Sequence, residues 1–312
     1  MTGPRIGYLL PTRDLAVIGD HEVVPLIRLA RRAEELGLDS VWAGDSPVAR
    51  QRVDPLTLLS AVAAVTERVT LGTAVLLPAL RHPIPLAQQL ATLDRICEGR
   101  LVAGMGGGFP IPATEAMFTA LGVGFTTRIS RLEESIAAMR LLWSGERVSH
   151  AGRHFAFDGV SLAPTPARPG GPPIWLAGSG EAALRRVGRI ADGWLPYPPE
   201  PGMYARERSL IPEPARVTGG LYATLCLDDD PERARRRLRE SLERYYGAPL
   251  EFIESIQAVF AGTPAGAAEW LGRYVEAGAG HIVVRLAVDD HAAALEELAG
   301  RVLPLMREGA LA

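Results

Sequence analysis

Short apolar runs alternate with amphipathic stretches from one end of the chain to the other. Ile6–Leu10 is an apolar run of strand length. After a polar loop, apolar positions recur at helical spacing from about Glu22 to Leu36, and Gly37 closes the segment. Asp39–Ala43 predicts a second strand, and Asp54-Pro55 supplies an N-cap and a first-turn proline for a helix running to about Glu67. Val69–Leu77 reads as the third strand, Pro85–Glu98 as the third helix, and Leu101–Met105 as the fourth strand. That strand runs into Gly106-Gly107-Gly108 and a helical region whose strongest stretch is Arg128–Trp143.

Residues 144–172 break the rhythm. Val148–His150 and His154–Phe157 flank Ala151-Gly152-Arg153, which predicts a β-hairpin inserted at 145–172. Strand and helix then alternate again: Pro173–Ala177, helix Glu181–Ile190, Gly193–Tyr197, a Pro-rich loop over Pro196–Pro214 with room for a short helix, and Val217–Leu227. Helices are expected at Pro231–Tyr246, Leu250–Phe260 and Pro264–Ala277, a last strand at Gly280–Leu286, and a closing helix at Ala292–Met306. Eight strands alternating with helices, with no linker between them, predict an α/β fold: one (β/α)8 TIM barrel over residues 1–312. A doubly wound sheet is the competitor, and the unbroken alternation favours the closed barrel.

Composition removes several functions. The chain is 47% hydrophobic and 22% charged, with a net charge of −3, as a folded globular protein would be. All 33 basic residues are arginine, and lysine and asparagine are absent. Lysine-dependent phosphate loops, Schiff-base aldolases, pyridoxal-phosphate enzymes and Cys-His-Asn proteases are therefore excluded. Cys97 and Cys226 are far apart in apolar surroundings, so no disulfide framework is expected. No apolar stretch reaches a membrane span, the N-terminus lacks a signal-peptide pattern, and the near-neutral charge argues against a nucleic-acid partner. A cytoplasmic enzyme is expected. The arginine-rich run Arg233–Arg244 is interleaved with Glu240 and Glu243, as in a solvated helix laced with ion pairs.

In a barrel of this kind the chemistry lies at the C-terminal ends of the strands. Those ends offer Pro11-Thr12, Gly44-Asp45-Ser46, Thr73-Ala74-Val75, Gly106-Gly107-Gly108-Phe109, Gly178-Ser179-Gly180, Tyr197, Asp228 and Arg285. Paired carboxylates for glycoside hydrolysis are lacking beyond Asp45 and Asp228, and none of the six histidines has metal-ligand spacing. A glycine-rich, mostly apolar mouth suits a flat cofactor that brings its own chemistry. Ile174–Leu176, Ala177-Gly178-Ser179-Gly180 and the helix at Glu181 form strand, glycine turn and helix. Backbone N–H groups there can approach a phosphate, although Gly-Ser-Gly is also an ordinary tight turn. Gly106-Gly107-Gly108 has the same two readings: bare backbone for a ligand, or a flexible loop.

The segments Leu71–Pro78, Arg81-His82-Pro83, Leu90–Arg95 and Gly99-Arg100-Leu101 closely resemble the luciferase-like monooxygenase superfamily, whose members use FMN or the deazaflavin coenzyme F-420. The likeness extends through Asp39–Asp45, Arg140–Gly145, Ala177–Gly180 and Ala191–Trp194. The resemblance implies a non-prolyl cis peptide at Ala74-Val75 behind the cofactor ring, and Gly106, Gly107 and Gly108 along the ring or ribityl chain. It also implies a phosphate loop at Ala177, Gly178, Ser179 and Gly180, and Asp45 near the ring. Sugar-phosphate dehydrogenases of that group carry His after the second-strand acid and an acid after the fourth-strand glycines. Ser46 and Phe109 stand there instead, so that alcohol oxidation lacks its expected base and acid.

The expected activity is hydride transfer by coenzyme F-420 to or from a small, apolar organic substrate. The alternative is an FMN-dependent monooxygenase, and a non-catalytic flavin-binding barrel is a third reading. The Gly72–Pro78 segment favours the deazaflavin, with Asp45 and Ser46 the candidate catalytic groups and no metal expected. Apolar residues on several faces of Leu56–Val65 and Leu86–Ile96 predict a homodimer.

Overall fold

The computed structural model describes residues 3–308. Its strands, in chain order, are Arg5–Leu9 (β1), Ser40–Ala43 (β2), Thr70–Thr73 (β3), Leu101–Met105 (β4), Val148–Ala151 (β5), Ala156–Val160 (β6), Ile174–Leu176 (β7), Gly193–Trp194 (β8), Thr218–Leu227 (β9), Val259–Gly262 (β10) and His281–Leu286 (β11). The helices are Thr12–Ala16 (α1), Val24–Glu35 (α2), Pro55–Ala63 (α3), Pro83–Ile96 (α4), Pro112–Ala120 (α5), Arg128–Leu142 (α6), Glu181–Ile190 (α7), Pro201–Ser209 (α8), Pro231–Tyr246 (α9), Leu250–Ile256 (α10), Pro264–Glu276 (α11), His291–Glu297 (α12) and Leu303–Glu308 (α13).

Hydrogen bonding sets the strands side by side as β1-β2-β3-β4-β7-β8-β9-β11, and β11 pairs in parallel with β1. This is the (β/α)8 barrel that the alternation predicts. A further strand, β10, pairs Val259–Gly262 with Thr224–Leu227 of β9. The sequence reading carried a helix through Phe260, but α10 stops at Ile256. A short apolar run such as Ala258-Val259-Phe260 carries no periodicity that separates helix from strand.

Among the described residues the chain forms two compact units, one taking the residues up to Trp42 and those from Gly178 on, the other Ala43–Ala177. The first packs Ile6, Leu225, Leu271 and Val283 as fully shielded core. It also buries a polar chain: Trp42 Nε1 donates to Ser40 Oγ at 2.7 Å, and Ser40 Oγ lies 2.7 Å from His281 Nε2. Burial lowers the His281 pKa to about 3, so its ring is neutral. Gly7 leaves room for this network, since a Cβ there would lie 2.8 Å from Trp42 Nε1.

The second unit buries Leu59, Leu71, Leu90, Leu101 and Met139, and Trp143 Nε1 donates to the Ala87 carbonyl at 3.0 Å. The inserted hairpin is present as the antiparallel pair β5–β6. Glu134 on α6 pins it by accepting from the backbone N–H groups of His154 (3.0 Å) and Phe155 (2.7 Å). On α9, Arg239 pairs with Glu243 one turn on, as expected, while Arg235 and Arg239 also reach Glu254 and Glu251 of α10.

Candidate active site

β3 leaves the sheet at Thr73, sooner than the apolar run suggests, and a non-prolyl cis peptide joins Ala74 and Val75. The chain rejoins its neighbour one residue later, where Leu76 N donates to Gly104 O at 2.8 Å and Gly106 N to Leu76 O at 2.9 Å. Asp45, at the end of β2, fixes the far side of this bulge. Its Oδ2 accepts from Leu77 N at 3.0 Å and from Arg81 Nη1 at 2.5 Å, while Oδ1 accepts from Arg81 Nη2 at 3.1 Å. The Asp45 side chain is 2% exposed, so the clamp is a shielded, two-pronged ion pair. With both oxygens engaged, Asp45 is placed to hold the bulge. Ser46 is also occupied: its Oγ accepts from Arg50 N at 2.9 Å and lies against Met117 Sδ.

Each glycine after β4 answers to a neighbouring side chain. A Cβ at Gly106 would stand 2.7 Å from Val75 Cγ2, and one at Gly107 2.5 Å from Ile129 Cδ1. Gly108 has φ +85°, a conformation side chains resist, and faces Phe118. The bare backbone at Gly106 thus seats the Val75 side chain, which locks the bulge to the end of β4.

In the other unit, the turn before α7 has Gly178 at φ +130° and Gly180 at φ +79°, and nothing occupies the space where a Gly180 Cβ would point. Ser179 and Gly180 are exposed. Trp194 Nε1 donates to the Gly178 carbonyl at 2.9 Å, fixing the loop from β8. Glu207 on α8 lies across the helix start, and its Oε1 accepts from Gly180 N at 3.3 Å. Sequence reading missed Glu207, which falls in the Pro-rich segment read as mostly loop.

The remaining strand-end candidates are engaged elsewhere. Asp228 accepts from Arg233 at 2.7 Å and from Arg237 at 3.3 Å. Its hydrogen bonds to Arg233 hold the carboxyl well below its ordinary range. Arg285 is buried, with Nη2 2.5 Å from Asp14 Oδ1 and the guanidinium 4.0 Å above the Tyr245 ring. Its Nε and Nη1 find no hydrogen-bond partner among the described residues. No His, Cys, Asp and Glu cluster able to hold a metal occurs among those residues. No described helix is long and apolar enough to cross a membrane.

A barrel with a clamped bulge and glycine turns at its strand ends suits a flat cofactor that brings its own chemistry. The chain belongs to the luciferase-like monooxygenase family, whose model matches residues 5–281. An F420-dependent glucose-6-phosphate dehydrogenase of Kineococcus radiotolerans is 31% identical over 320 residues, covering 90% of this chain and 93% of that one. An F420-dependent hydroxymycolic acid dehydrogenase of Mycobacterium tuberculosis is 36% identical over 193 residues, covering 59% of this chain and 52% of that one. Among solved structures, a monooxygenase from Streptomyces bottropensis superposes with TM-score 0.81 at 24% identity, covering 96% and 99% of the two chains. An F420-dependent secondary alcohol dehydrogenase superposes with TM-score 0.79 at 21% identity, covering 98% and 99%. The likeness to the solved structures is one of fold; with the named relatives, it makes this chain an oxidoreductase.

Proposed function

We propose that this enzyme uses coenzyme F-420 to transfer hydride to or from an apolar organic substrate. The observation that carries the reading is the Asp45–Arg81–Leu77 clamp. It presets the backbone of residues 74–77 as a firm surface at the end of β3. The F420-dependent relatives support the choice of deazaflavin over FMN. Ala74, Val75, Gly106, Gly107 and Gly108 would lie along the ring, and Ala177, Gly178, Ser179 and Gly180 would take the phosphate. Open space at Gly180 and the exposed start of α7 suit an anion there.

The chemistry supplied by the deazaflavin is the donation or acceptance of hydride. The chain's part is to bind and orient. The Ser179 hydroxyl would donate a hydrogen bond to an anion at α7, Arg81 keeps Asp45 seated, and Val75 packed on Gly106 keeps the bulge in place.

Several observations favour an apolar substrate over a sugar phosphate. The Ser46 hydroxyl is bound to Arg50 N, Phe109 brings no acid, and Arg285 is already paired with Asp14. No free base and acid therefore stand at the two positions where the sugar-phosphate dehydrogenases carry them.

The test is anaerobic incubation of the protein with reduced F-420 and either an apolar enone or an apolar aldehyde, and with oxidised F-420 and glucose 6-phosphate, beside an aerobic arm with reduced FMN and the same apolar compounds. Turnover of an apolar carbonyl compound alone is expected. Turnover of glucose 6-phosphate, or oxygen-dependent turnover with reduced FMN only, would overturn the reading.

A further inference from the structure

We infer that Arg52 is a ligand-binding cation of this site, holding an anionic oxygen of whatever lies on the Ala74–Val75 bulge. The inference rests on the functional reading above, in which that bulge is the ring's seat.

Arg52 sits in the loop between β2 and α3, and its guanidinium lies on the bare backbone of Gly44. A Cβ at Gly44 would collide with Arg52 Nη1, while the Ala74 carbonyl lies 3.3 Å from the same point. The cation is thus held beside the first residue of the cis peptide. Its contact within the chain is a long one, from Nε to the Arg50 carbonyl at 3.3 Å. Among the described residues no carboxylate lies within ion-pair distance of Arg52.

The surrounding arginines provide the contrast. Arg81 is taken by Asp45 and Asp54, and Arg100 by the Val69 and Thr66 carbonyls. Arg131 donates to the Ala79 carbonyl. Arg52 is half-buried, so it has given up part of its hydration without gaining a counter-charge. A guanidinium in that position presents its Nη groups as a ready fork for an oxyanion. Gly44 also finds its reason here, since any side chain would push the guanidinium off its seat.

Two ligands carry the matching chemistry: an ionised oxygen at the edge of the deazaflavin or flavin ring, or a carboxylate on the substrate. Parent, Arg52→Gln, Arg52→Lys and Gly44→Ala are first titrated with F-420 and with FMN by fluorescence, at two ionic strengths, each beside a melting curve. The F-420-loaded parent and Arg52→Gln are then titrated with benzoate and with benzyl alcohol, which differ in the carboxylate.

If the ring supplies the anion, Arg52→Gln weakens cofactor binding roughly 10- to 150-fold, the worth of a hydrogen bond to a charged group. The salt dependence flattens, Arg52→Lys restores part of the affinity, and Gly44→Ala behaves like Arg52→Gln with an unchanged melt. If the substrate supplies it, cofactor affinity holds, while benzoate binds the loaded parent and is lost in Arg52→Gln. A merely structural Arg52 would lower the melt without changing the salt dependence, and that result overturns the inference. So does a parent that binds cofactor with neither titration altered in Arg52→Gln. A parent that binds neither cofactor fails at the earlier step and overturns the functional reading along with it.

Discussion

Replacing Asp45 by asparagine tests whether this carboxylate is a clamp or a catalytic group. Aspartate accepts three hydrogen bonds here, one from Leu77 N and two from Arg81. Asparagine's one oxygen, standing where Oδ2 does, can still accept from Leu77 N and Arg81 Nη1, but its amide N–H groups then face Arg81 Nη2 and the carboxylate charge is gone. Removing one partner of a shielded ion pair costs ~3–5 kcal/mol. Arg81 is 21% exposed and retains Asp54 Oδ2 at 3.4 Å, which recovers part of that. The net loss should be about 2–4 kcal/mol, or roughly 3–6 °C in Tm at the ~1.5 °C per kcal/mol of a chain this long. Thermal melting by circular dichroism measures the stability, and titration with F-420 measures the platform. Both should fall together. A variant that melts within about 1 °C of the parent and binds equally well would refute the clamp. An unchanged melt with binding intact and turnover lost would make Asp45 an acid or base.

The phosphate loop makes two opposite predictions. Ser179→Ala should weaken cofactor binding roughly 10- to 150-fold, whereas Glu207→Gln should tighten it roughly 2- to 5-fold by removing a carboxylate from the Gly180 N–H; equal affinities in calorimetry would rule out a phosphate there. Stability should depend on pH through His281, whose pKa falls from 6.5 unfolded to about 3 folded. The unfolded chain binds the extra proton in that window, so stability is full above about pH 6.5 and declines by ~1.4 kcal/mol per pH unit on the way down. Urea unfolding of His281→Gln should show a shallower slope, and an unchanged slope would place the titration elsewhere. Val65 (41% exposed) lies just beyond α3 and Ile96 (44%) ends α4. A homodimer through these helices predicts a dimer mass in light scattering that Val65→Glu with Ile96→Glu reduces to the monomer; a concentration-independent monomer in the parent would remove the idea.

Much of the fold was legible because barrel strands are short, apolar and bounded by glycine, proline and caps. α7 and α9 begin and end where the sequence places them, the second at an Asp230 cap and Gly247. α1 was missed because five residues, Thr12–Ala16, are too few to show a helical period. β10 was missed for the same reason. At the site, the glycines and the Ala74–Val75 position stood out, but their physical partners did not. Asp45 and Arg81 are 36 residues apart and meet only through the barrel. Val75 on Gly106, Ile129 on Gly107 and Phe118 on Gly108 are likewise long-range packings that no local pattern encodes. The structure also changes how the loop should be probed. Gly178 has φ +130°, with Ala183 Cβ 3.2 Å from where its own Cβ would be. Gly178→Asp therefore strains the backbone as well as repelling an anion.

The most direct test of the central claim is a fluorescence titration of the purified parent protein with oxidised F-420 and, in parallel, with FMN. Saturable binding of F-420, tighter than that of FMN and weakened in Ser179→Ala with an unchanged melt, is the predicted result. Tight, stoichiometric FMN binding with no measurable affinity for F-420 would contradict it.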